Sequence, residues 1–133
     1  MIQRRGLIAL MASSLMLAVC ACSLFTTVLD DTDDGTLRQL DVGNVVAIHL
    51  QGTPSTGYEW ARVAPASLEG GPLEALSEGE IQNADSDLVG APCTFVFRYR
   101  ALRPGTVVLT FAYRRDWEPD SPADTYSVTL WVR

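Results

Sequence analysis

The chain has 133 residues, 47% of them apolar, and its sixteen acids outnumber its basic residues to leave a net charge of −6. That is one domain's length with enough apolar residues for a core, and the acidic balance excludes a phosphate-binding or nucleic-acid role, which needs concentrated positive charge. With a single histidine and no patterned cluster of histidine, cysteine and acid, the sequence offers neither a metal centre nor a Ser/His/Asp constellation.

Met1 to Arg5 carries Arg4 and Arg5 with no acid, and Gly6 to Val19 is almost wholly apolar. This is the pattern of a secretory signal peptide, with an apolar run too short to span a bilayer comfortably. The following Leu17-Ala18-Val19-Cys20-Ala21-Cys22 resembles a bacterial lipoprotein lipobox. Cys22, preceded by the small Ala21, fits it better than Cys20, preceded by Val19. The resemblance implies removal of residues 1–21, export across a bacterial inner membrane and a lipid anchor at Cys22. The chain would then sit in the cell envelope, on the outer membrane facing the periplasm, because Ser23 is not the aspartate that signals inner-membrane retention. Cys93 would be left as the only thiol, so no intramolecular disulfide is expected. Residues 22–35 crowd Asp30, Asp31, Asp33 and Asp34 together without the spacing of a calcium loop, and read as a solvated acidic tether. Residues 36–133 are the expected folded domain.

In Val45 to Leu50, Val46, Ile48 and Leu50 fall on one face and His49 on the other, the period of a half-buried strand. Gly52-Thr53-Pro54-Ser55-Thr56-Gly57-Tyr58-Glu59-Trp60 follows. Pro54 fixes its own φ and extends Thr53, while Gly57 is free to take a positive φ. The result is a stiff finger of backbone carrying two small hydroxyls, leading into a returning strand over Tyr58 to Val63. Ala64 to Gly79 reads as loop and irregular strand, and Ile81 to Ala91 as exposed. Phe95, Phe97 and Tyr99, then Val107, Leu109, Phe111 and Tyr113, alternate with polar residues on either side of Arg103-Pro104-Gly105, the pattern of a hairpin. A last strand places Tyr126, Val128, Leu130 and Val132 on one face. Short strands at this spacing, with no helical periodicity after the leader, predict an all-β, immunoglobulin-like antiparallel sandwich.

In such a sandwich, loops that follow alternate strands collect at one end. The finger, the segment Gly90-Ala91-Pro92-Cys93-Thr94 and the segment Arg115-Asp116-Trp117 are therefore expected to form one surface. Tryptophan and arginine are frequent interface anchors. His49 has no partner for catalysis in sequence, and no residue is assigned a catalytic role.

These three segments, in this order, resemble the motifs of the chagasin-type inhibitors of papain-like cysteine proteases. Thr53-Pro54-Ser55-Thr56-Gly57-Tyr58, followed by Trp60, is similar to that family's N-P-T-T-G-Y loop. Gly90 to Thr94 is similar to its G-x-x-G loop, and Arg115-Asp116-Trp117 to its R-P-W loop. Thr53 stands where asparagine is usual, Cys93 where a second glycine is usual and Asp116 where proline is usual. The resemblance implies a reversible, tight-binding, monomeric inhibitor that needs no cofactor. Pro54 to Gly57 would plug the catalytic cleft, Gly90 to Thr94 would run along one flank, and Arg115 and Trp117 would pack on the other. The alternative is a lipid-anchored envelope module that uses the same loops on a different protein.

Overall fold

Alternation of apolar residues along the strands sorts the chain into two layers. The structure is a computed structural model that describes residues 25–83 and 90–133; the leader reading of 1–21 and the lipidation candidates Cys20 and Cys22 lie outside the described residues. The described residues form eight strands: β1 Thr26–Leu29, β2 Leu37–Leu40, β3 Val45–Gly52, β4 Glu59–Ala64, β5 Leu73–Asn83, β6 Cys93–Ala101, β7 Gly105–Arg114 and β8 Asp124–Val132. One sheet has the order β1-β3-β6-β5 and the other β2-β8-β7-β4. This is the expected all-β sandwich.

The inner faces are those the period of two selects: Val46, Ile48 and Leu50 of β3, Phe95, Phe97 and Tyr99 of β6, Leu109 and Phe111 of β7, and Tyr126, Val128, Leu130 and Val132 of β8 are all buried. Phe97 from one sheet meets Phe111 from the other edge to face, with centroids 4.7 Å apart, the geometry that aromatic quadrupoles favour.

Four features differ from expectation. Arg103-Pro104-Gly105 does not close a hairpin, because β6 and β7 belong to different sheets. Leu102 N–H donates to Pro72 O at 2.7 Å, so the chain leaves β6 for the opposite layer. The consecutive strands that pair antiparallel within one sheet are instead β5–β6 and β7–β8. The sheets are not wholly antiparallel: β1 runs parallel to β3, and β2 parallel to β8.

The segment expected as loop and irregular strand over 64–79 and as exposed chain over 81–91 contains a continuous eleven-residue edge strand, β5 Leu73–Asn83. Its pairing with β6 shifts register between Ala75 and Ser77 and again between Glu78 and Glu80, which erases the alternation that marks a strand in sequence. The same irregularities bring Glu78 onto Arg62 of β4, with Nε 2.8 Å from Oε1. An ion pair thus bridges the two sheets along one open side, one way of blunting an edge.

The acidic tether is likewise not free chain from Phe25 onward. Thr26–Leu29 pairs with β3, and the aspartates act as caps. Asp30 accepts from Thr32 N at 2.9 Å, Asp33 accepts from Asp30 N at 3.0 Å and pairs with Arg38, and Asp34 accepts from Ser127 N at 2.8 Å. Three of the four carboxylates that repel in an extended chain, Asp30, Asp33 and Asp34, are here given donors.

Tyr126 lies beside this turn with its hydroxyl buried and without a hydrogen-bond partner. Burial, followed by the nearby Asp33, Asp34 and Asp30, pushes its phenol far above the ordinary tyrosine range. The folded chain therefore keeps a proton that the unfolded chain releases near pH 10, so this contribution to stability is present below pH 10 and is lost as pH rises above it. Tyr126→Phe should leave neutral-pH stability unchanged or slightly raised, since it removes only an unpaired hydroxyl. It should also flatten the fall in urea midpoint between pH 9 and 11; an equal fall in both proteins would contradict the assignment.

Candidate functional site

Ladder pairing fixes which loops meet. Gly52 at the end of β3 is opposite Cys93 at the start of β6, Asn83 at the end of β5 is opposite Cys93 on its other side, and Glu59 of β4 is opposite Arg114 of β7. The finger, the β5–β6 connection and the β7–β8 connection therefore leave the sandwich at the same end, as expected. Of the β5–β6 connection, residues 84–89 lie outside the described residues.

The finger is a single turn of 3-10 helix over Pro54–Thr56. Thr56 N donates to Thr53 O at 3.1 Å, Gly57 N donates to Pro54 O at 3.0 Å, and the Thr56 hydroxyl donates to Thr53 O at 2.6 Å. Pro54 opens the turn, where a missing N–H and a preset φ are no loss. Gly57 closes it at φ 81°, a conformation that a β-carbon disfavours. Ser55 and Thr56 are exposed at the tip. The Thr53 side chain makes no capping bond, so the turn is closed by main chain and the Thr56 hydroxyl.

The base of the finger is held by aromatic residues. The Tyr113 hydroxyl accepts from Thr53 N at 2.8 Å, and its ring lies 5.3 Å from Tyr58 and 5.1 Å from Trp60, nearly parallel to the latter. Trp60 is buried and donates its indole N–H to Gln51 O at 2.9 Å. Gly52 leaves room for this packing, because a β-carbon there would meet the Phe95 ring at 2.6 Å.

The third loop grips the finger from the other side. Arg115 Nε donates to Thr56 O at 3.1 Å, and its guanidinium lies 4.4 Å from the Tyr58 centroid and 5.6 Å from that of Trp117. Trp117 is 68% exposed, yet its ring edge rests on Gly57, where a β-carbon would stand 2.5 Å from it. Arg115 is thus a clamp that holds the finger by its Nε hydrogen bond and its cation–π contacts, while Trp117 and Asp116 face solvent.

The second segment is tied to β3 by Gln51 Nε2, which donates to the Thr94 hydroxyl at 2.9 Å. Gly90 takes φ 83°, and Pro92 is exposed with Ala91 half-buried. Cys93 corrects the expected contact set: it is 2% exposed in the core, because it is the first inward-facing residue of β6, and burial pushes its thiol above the ordinary range. It contributes no side chain to the surface and is not placed to cross-link two copies. Its φ is not positive, and Gly90 supplies the left-handed residue of this segment.

The model of the chagasin family peptidase inhibitors, I42, matches residues 39–130. The chain belongs to the chagasin family. Chagasin from Trypanosoma cruzi is 30% identical over 104 residues, covering 73% of this chain and 89% of its own, and amoebiasin-2 from Entamoeba histolytica is 27% identical over 108 residues, covering 77% and 84%. Among solved structures, the cysteine protease inhibitor of Entamoeba histolytica superposes with a TM-score of 0.67 at 20% identity, covering 81% of this chain and 95% of its own. PbICP-C in complex with falcipain-2 superposes with a TM-score of 0.56 at 21% identity, covering 80% and 99%. Membership in the chagasin family makes this chain a peptidase inhibitor and not an enzyme.

Within this chagasin-family surface, Tyr113 and Gln51 are the residues that sequence reading passed over. Tyr113 alternates with Leu109 and Phe111 and so reads as one more core position. The signal was its hydroxyl, a polar tip at the loop end of an otherwise apolar row. Gly57→Ala tests the grip directly. It should destabilise the fold by about 1–2 kcal/mol through the left-handed backbone alone and release Trp117, read as a shift and broadening of its fluorescence. A variant with unchanged emission and urea midpoint would show that the finger is not held as described.

Proposed function

We propose that this chain inhibits papain-like cysteine proteases reversibly by inserting the finger Thr53–Tyr58 into the catalytic cleft, flanked by Gly90, Ala91, Pro92 and Thr94 on one side and Arg115, Asp116 and Trp117 on the other. The observation that carries this reading is the finger itself: a narrow turn, closed by its own main chain and clamped by Tyr113, Arg115 and Trp117, with only Ser55 and Thr56 at its tip. Family membership supports the inhibitor class, and a protein of the same fold solved with falcipain-2 supports a protease as the partner. A tight 3-10 turn does not offer the extended peptide that a protease cleaves, so the finger blocks the cleft without becoming substrate. A loop already held in its bound shape loses little entropy on docking, which lets a small contact surface bind tightly. No cofactor enters this mechanism. The same reading includes export, acylation at Cys22 and residence in the cell envelope, supported by the lipobox-like sequence.

Titration of papain with the mature chain, following a fluorogenic substrate, should give stoichiometric and reversible loss of activity. Thr56→Arg should abolish it without changing the urea midpoint, because a long charged side chain at the tip cannot enter the cleft. Full papain activity in the presence of a large excess of folded wild-type chain would move the surface to another partner.

Trp117→Ala should weaken inhibition by roughly 30-fold, the loss of one aromatic anchor of about 2 kcal/mol. An unchanged inhibition constant would remove the third loop from the contact.

A further inference from the structure

The end of the sandwich opposite the finger carries a surface that inhibition does not use. β1 begins there, since Thr26 pairs with Val45 at the start of β3 and Val45 N donates to Phe25 O at 3.1 Å. The β2–β3 turn reaches the same place through Gly43 N to Ala101 O and Val42 N to Arg133 O. β6 and β8 end there, with Val132 opposite Gly105. Phe25, Val42, Leu102 and Trp131 are exposed at this pole by 65%, 48%, 39% and 42%. Arg133 lies 5.2 Å over the Trp131 ring, and Arg103 borders an open groove of about 240 Å³ lined by Leu68, Leu73 and Leu102.

We propose that this pole is a bilayer-facing surface that lays Phe25, Val42, Leu102 and Trp131 into the membrane interface and points the finger away from it. What identifies the occupant is where the undescribed chain attaches. Residues 1–24, with their apolar leader and Cys22, lead into Phe25 at this pole. From an acylated Cys22 to Phe25 is three residues, a reach of at most about 10 Å, so the tether expected to hold the domain off the membrane is almost entirely used up by β1. Aromatic and aliphatic side chains beside arginine are the composition that settles at the headgroup boundary. Asp41 and Glu69 share the pole with Arg103 and Arg133, whereas the finger end exposes Glu59, Asp116, Glu118, Asp120 and Asp124. An anionic leaflet therefore repels the finger end and tolerates the other. The eight residues of β3 set the finger about 26 Å from the surface.

The proposal rests on the envelope-anchor reading for the membrane's presence, and its test separates the two. The full chain, expressed with its leader in a bacterium, is reconstituted into vesicles of phosphatidylethanolamine and phosphatidylglycerol brominated on their acyl chains. Trp117→Phe and Trp131→Phe variants are compared with the same proteins in unbrominated vesicles, and a urea midpoint near wild type verifies folding. Bromine should quench emission in Trp117→Phe, which retains Trp131, and leave Trp131→Phe unquenched. Quenching in Trp131→Phe alone, or in neither variant while the chain stays vesicle-bound, overturns the proposal. Incorporation of labelled palmitate, lost in Cys22→Ser, reports the anchor independently: a labelled chain with unquenched Trp131 keeps the anchor and rejects the surface, and an unlabelled chain with quenched Trp131 does the reverse.

Discussion

Tyr113 is the group on which the binding end depends. It closes the mouth of the sandwich with its ring, between Tyr58 and Trp60, and anchors the finger with its hydroxyl through Thr53 N. Both uses need the same position, one inward-facing residue from the end of β7. A phenylalanine there would keep the stack and leave Thr53 N without its partner, and a smaller residue would lose both. Because Arg114 ends β7 directly after it and Arg115 opens the third loop, one strand end sets the position of two loops. Their relative geometry follows from two residues of chain rather than from flexible contacts.

Arg115 illustrates how a residue's place changes its physical role. An exposed arginine at an interface is ordinarily a charge offered to the partner, but here its Nε bonds Thr56 O and its plane covers Tyr58. Its charge stays within the surface, beside Glu118 at 3.9 Å. What remains outward is Trp117 and a row of acids, Asp116, Glu118 and Asp120. The rim of this surface is thus apolar at its centre and negative on one side, which biases encounter toward partners with a basic rim and makes association sensitive to salt.

Much of this was legible in sequence, and the failures have physical causes. β3, β6, β7 and β8 alternate cleanly because one face of each is core and the other is not. β5 read only as irregular strand because its two register shifts interrupt the period, and β1 was missed because the nearby aspartates read as mutual repulsion, when Asp30, Asp33 and Asp34 each accept a main-chain hydrogen bond. The turn at Arg103-Pro104-Gly105 has hairpin residues, yet whether a turn stays within a sheet or crosses between two is decided by partners distant in sequence, here Pro72. The finger was legible because proline and glycine act locally. Cys93 was misplaced for the converse reason: its sequence neighbours are loop residues, while its burial follows from its inward-facing place at the start of β6, between β3 and β5 in the sheet.

Topology explains why the finger stands as a turn of its own. At the binding end the β5–β6 and β7–β8 connections stay within one sheet, whereas β3–β4 passes from one sheet to the other. That passage spans two layers about 10 Å apart at the open end of the sandwich. The crossing chain therefore has to bring its own filling, Trp60, and borrow Tyr113 to seal the gap. Its main chain is then left standing proud of the sandwich with no sheet partner, so its hydrogen bonds are satisfied within the 3-10 turn and by the side chains of Tyr113 and Arg115. A rigid finger between two hairpin loops is accordingly what this strand order produces at its open end, before any partner is considered.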